Sequence, residues 1–245
     1  MKNYSYIGLF LVIVIFGIIV VPEIIDRVNE EETVSSNRSD GREERAAANV
    51  DLDYIMVNEE RKRVPPFEFI DQHGDTITNK DYEGKVYIAE FFFSTCPTIC
   101  PIMKVNLVEV QDVFASNEDF GIASFSIDTR HDTPQVLKEY AANNNITHPN
   151  WHLMTGEQED IYGLANSGFN IYAGEDENAA GGFAHSGYFA LVDREGYIRS
   201  RRDSFGNPII YYRGSVPRNA VVEPGEEEPQ IDILIADAKR LIDDK

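Results

Sequence analysis

Between residue 65 and the C-terminus the apolar and polar positions change period several times, and each change predicts an element. "FEFI" at 67–70 and "TIT" at 76–78 flank "DQHGD", a β-hairpin signal with Gly74 in the turn. "VYIAEFFF" at 86–93 is a nearly continuous apolar run, as expected for a strand buried on both faces, and Glu90 interrupts it. Met103, Leu107, Val110 and Phe114 then recur at helical spacing. "GIASFSID" at 121–128 predicts the next strand. Asp132-Thr133-Pro134 opens a helix with Val136, Leu137, Tyr140 and Ala141 on one face, and "NNN" at 143–145 ends it. After "WHLMTG" a shorter helical pattern uses Ile161, Leu164 and Ala165, followed by a polar loop from Ala173 to Gly182. "GYFALVD", the turn "REG" and "YIRS" predict a second hairpin. Ile231, Leu234, Ile235, Ala238, Leu241 and Ile242 predict a closing amphipathic helix after Pro229. Strand, helix, strand, then helix, hairpin and helix is the order of an α/β, thioredoxin-like domain, expected over 61–245.

The N-terminus follows a different pattern. From Tyr4 to Val21 no residue is charged, a run of 18, near the lower limit for a bilayer span. Lys2 precedes it and Glu23, Asp26, Glu30, Glu31 and Glu32 follow, so positive-inside logic keeps the N-terminus cytoplasmic and carries the rest outward. A cleaved signal peptide is the alternative, but no small-x-small site follows Val21. The expectation is a retained transmembrane anchor over 1–25, single-pass in the cell membrane, with the soluble domain on the extracytoplasmic (periplasmic) side. Residues 26–60 are rich in Glu, Asn, Ser, Arg and Ala and read as a charged flexible linker.

Charge narrows the partners. The formal net charge is −20, and no basic stripe appears beyond the short "RKR" at 61–63, which argues against nucleic acid as a ligand. The chain has two cysteines, both inside "FFFSTCPTICPIM" at 91–103 and each followed by proline. A residue before proline is pushed out of the α region, so Pro101 at the first helical position makes Cys100 the expected N-cap. The segment 96–100 is then a turn landing on a helix N-terminus, whose partial positive charge favours thiolate. Core filling is the bland alternative for two cysteines. Three uses otherwise stay open: a structural Cys96–Cys100 disulfide, a thiol–disulfide redox pair one residue wider than Cys-x-x-Cys, and a soft-metal site. A disulfide here would close a short loop, the kind that stabilises least. Structural zinc wants four protein ligands, whereas two thiolates and an imidazole suit Cu(I). His73, His131, His148, His152 and His185 could supply that imidazole. His185 stands apart, because it enters the strand "GYFALVD", whose start faces the cysteine turn in a thioredoxin-like layout.

"CPTICP" at this place resembles the cysteine motif of the SCO/SenC family, and "SIDTRHDTPQVLKEYA", "WHLMTG" and "AHSGYFALVDREG" follow in that family's order. The resemblance spans roughly residues 60–200. It implies a copper metallochaperone for cytochrome c oxidase assembly, with Cys96, Cys100 and His185 as copper ligands and a Cys96–Cys100 disulfide when oxidised. It further implies an upstream copper donor and, as the receiver, the copper-bearing subunit of the oxidase. The alternative function is a thiol–disulfide oxidoreductase that reduces cysteines of a partner, with Cys96 attacking and Cys100 resolving. The chain departs from the family pattern at Thr95, where a histidine or arginine-like polar residue is common, and at His131, where arginine is. The acidic loop 173–182 and the stretch 203–225 look like insertions.

Overall fold

A computed structural model describes residues 52–202, 208–223 and 225–244. Strands β1 (Asp53–Tyr54), β2 (Met56–Val57), β3 (Glu60–Arg61), β4 (Glu68–Asp71) and β5 (Thr76–Thr78) precede the first long strand, β6 (Val86–Phe92). Helix α1 (Cys100–Val113), β7 (Phe120–Ser126), α2 (Pro134–Asn143), β8 (Trp151–Thr155) and α3 (Gln158–Gly163) follow. The chain continues through a π-helical turn at Leu164–Phe169, β9 (Ala173–Glu175), β10 (Phe183–His185), β11 (Tyr188–Val192), β12 (Ile198–Ser200), β13 (Tyr212–Arg213) and α4 (Ile231–Asp243). The main sheet runs β1-β12-β11-β6-β7-β8-β4-β5, with β13 also on β11. Its centre is parallel, β6 to β7 to β8, and its flanks are antiparallel. This is the expected thioredoxin-like α/β arrangement.

Every residue of β6 and β7 is buried, which is why both strands are largely apolar. Helix α1 packs against α4, α4 against β6 and β13, and α2 against β8 and β4. The exception in β6, Glu90, lies opposite Ser124 of β7 in the ladder. The Ser124 hydroxyl donates to it at 2.7 Å and itself accepts from the Trp151 indole at 3.0 Å. Burial pushes the Glu90 carboxyl up to about 7.

The helices begin and end where side chains permit. Thr133 caps α2, its hydroxyl accepting from the Val136 amide at 3.4 Å with Pro134 in the first turn. Asn145, just past the end, takes φ +57°. In α4 the six expected apolar residues are buried, and so is Asp237, which accepts from Arg201 and from the Tyr212 hydroxyl.

Three expectations change. Residues 52–60, expected in the tether, belong to the domain: Leu52 and Ile55 are buried, and β1 pairs with β12. The Arg199 guanidinium lies 4.0 Å from the Tyr54 ring centre and donates to the Leu52 carbonyl, so stacking and hydrogen bonding hold a segment too short to show a period. Trp151–Thr155 forms a strand that the pattern did not distinguish. The loop 173–182 begins as β9 of a two-stranded hairpin with β10. The anchor at 1–25 and the rest of the tether lie outside the described residues. Among the described residues no helix is long and apolar enough to cross a membrane.

Candidate metal centre

The chain leaves β6 at Phe92, turns through 94–99, and enters α1 at Cys100. The helix starts one residue earlier than expected: Ile99 is the N-cap, without a side-chain cap bond, and Cys100 is the first helical residue. Asp132, fully buried, fixes the start of the turn. It accepts from the Ser94 amide at 2.9 Å, the Ser126 hydroxyl at 2.5 Å and the Ser94 hydroxyl. One carboxylate thereby ties the end of β6 to the loop before α2.

His185, the last residue of β10, reaches the cysteines from the other side. Its Nε2 lies 3.2 Å from Cys100 Sγ, and its ring stands edge-on to Phe93 with centroids 5.8 Å apart. The two sulfurs and a ring nitrogen of His185 all lie within 4.8 Å of one another. Among the described residues this is the one cluster of three such ligands. Both cysteines are free and buried, while His185 is half-buried, so the cluster opens on the histidine side.

The electrostatics split the two thiols. The Cys100 thiol, donating toward Cys96, holds the Cys96 sulfur down to about 3, helped by His185 and the Cys100 and Thr98 amides against the opposing effect of burial. Cys100 moves the other way, because the facing Cys96 sulfur and burial both favour its protonated form. The coupling thus favours thiolate at Cys96 and thiol at Cys100. Two sulfurs and one imidazole form a donor set for a soft ion, with no fourth protein ligand of the kind structural zinc requires among the described residues.

The other four histidines are engaged elsewhere or stand apart. His131 sits beside the cysteine turn, but its Nδ1 is 2.9 Å from Asp132, whose hydrogen bond raises the imidazole pKa, and half its side chain is exposed. His152 pairs with buried Asp71 at 2.9 Å. The His148 ring accepts from the Asn150 amide, and burial lowers its pKa. His73 is exposed in the β4–β5 turn.

Part of the 203–225 stretch also serves the site. Past β13, the Gly214 and Ser215 amides donate to the Gly187 carbonyl at 2.8 and 3.2 Å, two residues after His185. Buried Asn106 of α1 donates to the Gly214 and Val216 carbonyls, both at 2.8 Å, and accepts from the Arg218 amide. This strap joins the cysteine helix to the link between His185 and β11. Asn106 and Asp132 were not visible as positioning residues in the sequence, because side-chain bonds to distant backbone leave no periodic signal.

The SCO1/SenC family profile matches residues 56–213. A SCO1 protein homolog of Bacillus subtilis is 35% identical over 141 residues, 55% of this chain and 70% of that protein. A SCO1/SenC family lipoprotein of Bacillus anthracis superposes with a TM-score of 0.61 at 28% identity, covering 74% of this chain and 96% of that one. BsSco, described as having a disulfide switch and as a member of the Sco family of cytochrome c oxidase assembly proteins, gives 0.59 at 29% identity, covering 75% and 95%. Copper-bound ScoI of Arabidopsis thaliana shares the fold, with a TM-score of 0.52 at 23% identity over 72% and 98%. By fold, motif and sequence this chain belongs to the SCO1/SenC family.

Proposed function

We propose that this chain is a membrane-anchored copper metallochaperone that receives copper from an upstream donor and delivers it to the copper-bearing subunit of cytochrome c oxidase. The observation that carries the reading is the meeting of two cysteine sulfurs and one histidine nitrogen within 4.8 Å. Copper is the cargo. Cu(I) suits the donors: two soft thiolates and one imidazole, with no further protein ligand in the described cluster. Cys96 offers a sulfur already deprotonated at neutral pH, Cys100 gives up its proton on binding, and His185, on the open side, is the ligand an acceptor displaces. The relative described as a cytochrome c oxidase assembly protein supports the receiver, and the uncharged run at 4–21 supports the anchor.

The same sulfurs support a second reading, a thiol–disulfide oxidoreductase acting on a partner, because a low-pKa thiolate faces a resolving thiol. Copper analysis of the full-length chain separates the two. The reduced chain should hold about one copper, from one three-donor cluster, and the oxidised chain little, since a disulfide offers no thiolate. Equal copper in both redox states would place the ligands elsewhere. No copper in either, with both cysteines still required for oxidase assembly, would favour the oxidoreductase.

A further inference from the structure

His185 lacks the hydrogen bond that usually orients a ligand histidine. A metal-binding imidazole commonly donates its second ring N–H to a carboxylate or carbonyl, which fixes ring and tautomer. Here Nδ1 is buried and has no hydrogen-bond partner among the described residues. The ring's place must then come from the backbone that carries it.

That backbone is the short β9–β10 hairpin, in which His185 stands opposite Ala173. The Ser186 amide donates to the Tyr172 carbonyl at 3.0 Å, so the next pair along is a hydrogen-bonded one. Alternation in an antiparallel ladder then makes Ala173–His185 a non-hydrogen-bonded pair, whose side chains come closest and whose backbone groups point outward. The outward groups of Ala173 need another partner, and Asn166 supplies it. Its Nδ2 donates to the Ala173 carbonyl at 2.8 Å and its Oδ1 accepts from the Ala173 amide at 3.2 Å. A further bond from Nδ2 to the Tyr162 carbonyl, at 3.0 Å, fixes the amide on its own helix. Asn166 lies within the π-helical turn at Leu164–Phe169, a local widening of the kind often found at functional sites. Farther along, Glu175 of β9 pairs with Arg130 and accepts from Gln158.

We propose that Asn166 is a positioning residue for copper binding: it pins Ala173 and, through the β9–β10 register, sets His185 against the cysteines. This rests on the reading of His185 as a ligand. Asn166 touches neither the cysteines nor the imidazole, so its effect must pass through His185. Its side chain is exposed, and replacing it leaves the core packing intact.

The test is a double-mutant cycle on the full-length reduced chain, reading Cu(I) affinity by competition with a chromophoric chelator. Asn166→Ala should weaken affinity by roughly tenfold, the low end of outer-shell effects at metal sites. In a His185→Ala background the same substitution should change nothing further. Equal losses in both backgrounds would mean that Asn166 acts on the domain generally and would overturn the proposal. So would unchanged affinity in Asn166→Ala when His185→Ala is weakened. If His185→Ala itself retains full affinity, the ligand assignment fails and the proposal falls with it, an outcome distinct from the other two.

Discussion

The asymmetry of the two thiols can be tested through the pH dependence of alkylation at Cys96. An ordinary thiol with pKa about 8.5 is roughly 3% thiolate at pH 7, and its rate climbs about tenfold per pH unit up to that value. Cys96, held down to about 3, is fully thiolate throughout, so its rate should be flat from pH 5 to 8. Low basicity also weakens the nucleophile: a Brønsted slope of about 0.45 across a gap of roughly 5.5 slows each thiolate about 300-fold. The two effects balance near pH ~6, below which Cys96 outpaces a free thiol and above which it lags. Burial of the sulfur lowers the whole curve without tilting it, which moves the crossing to lower pH. The perturbation is Cys100→Ala, which removes the largest cause of the depression and should bring a titration step into the measured range. Iodoacetamide labelling of the reduced, metal-free chain, with peptide mapping to separate the two sites, gives both profiles. A wild-type Cys96 rate rising tenfold per unit between pH 6 and 8 would mean an ordinary thiol, and a Cys100→Ala profile that overlays the wild type would mean that Cys100 does not depress it.

Three further predictions concern the surroundings. Glu90 has a folded pKa of about 7 against 4.5, so its contribution to stability is full below the lower value and lost as pH rises through the higher. Between pH 4 and 8 this amounts to on the order of 3 kcal/mol; Glu90→Gln should flatten that part of the denaturation profile, and an unchanged slope would contradict it. Gly214→Ala would place a methyl 2.4 Å from the Phe189 ring, so the urea midpoint should fall by the equivalent of about 1–3 kcal/mol. A wild-type midpoint would show that the strap is not tightly packed. His131→Ala should leave Cu(I) affinity unchanged, since Asp132 and not the sulfur pair engages that imidazole; a loss larger than that of His185→Ala would exchange their roles.

Elements with a long, regular period were legible in the sequence. The buried runs of β6 and β7, the capped start of α2 and the apolar face of α4 all lie where the pattern places them. Short elements held by side chains were not. β1 depends on the Arg199 guanidinium over Tyr54, and β9–β10 is two three-residue strands joined by a polar segment, so neither alternates long enough to register. At Gly181, φ is +87° and a Cβ would come within 2.8 Å of the Phe93 ring, which shows how closely that segment packs beside the site. Of the centre, the cysteines were legible from their prolines and spacing. His185 was separable from four other histidines by its place before β11 and by the family resemblance. Asn106, Asp132 and Asn166 act through backbone groups distant in sequence, and only the folded register reveals them.

Whether Cys96, Cys100 and His185 hold the metal can be read by X-ray absorption at the copper edge, on the reduced chain loaded with Cu(I). The copper should have two sulfur neighbours and one nitrogen, with the nitrogen lost in His185→Ala and both sulfurs retained. A shell without sulfur, or an unaltered nitrogen contribution after His185→Ala, would contradict this assignment.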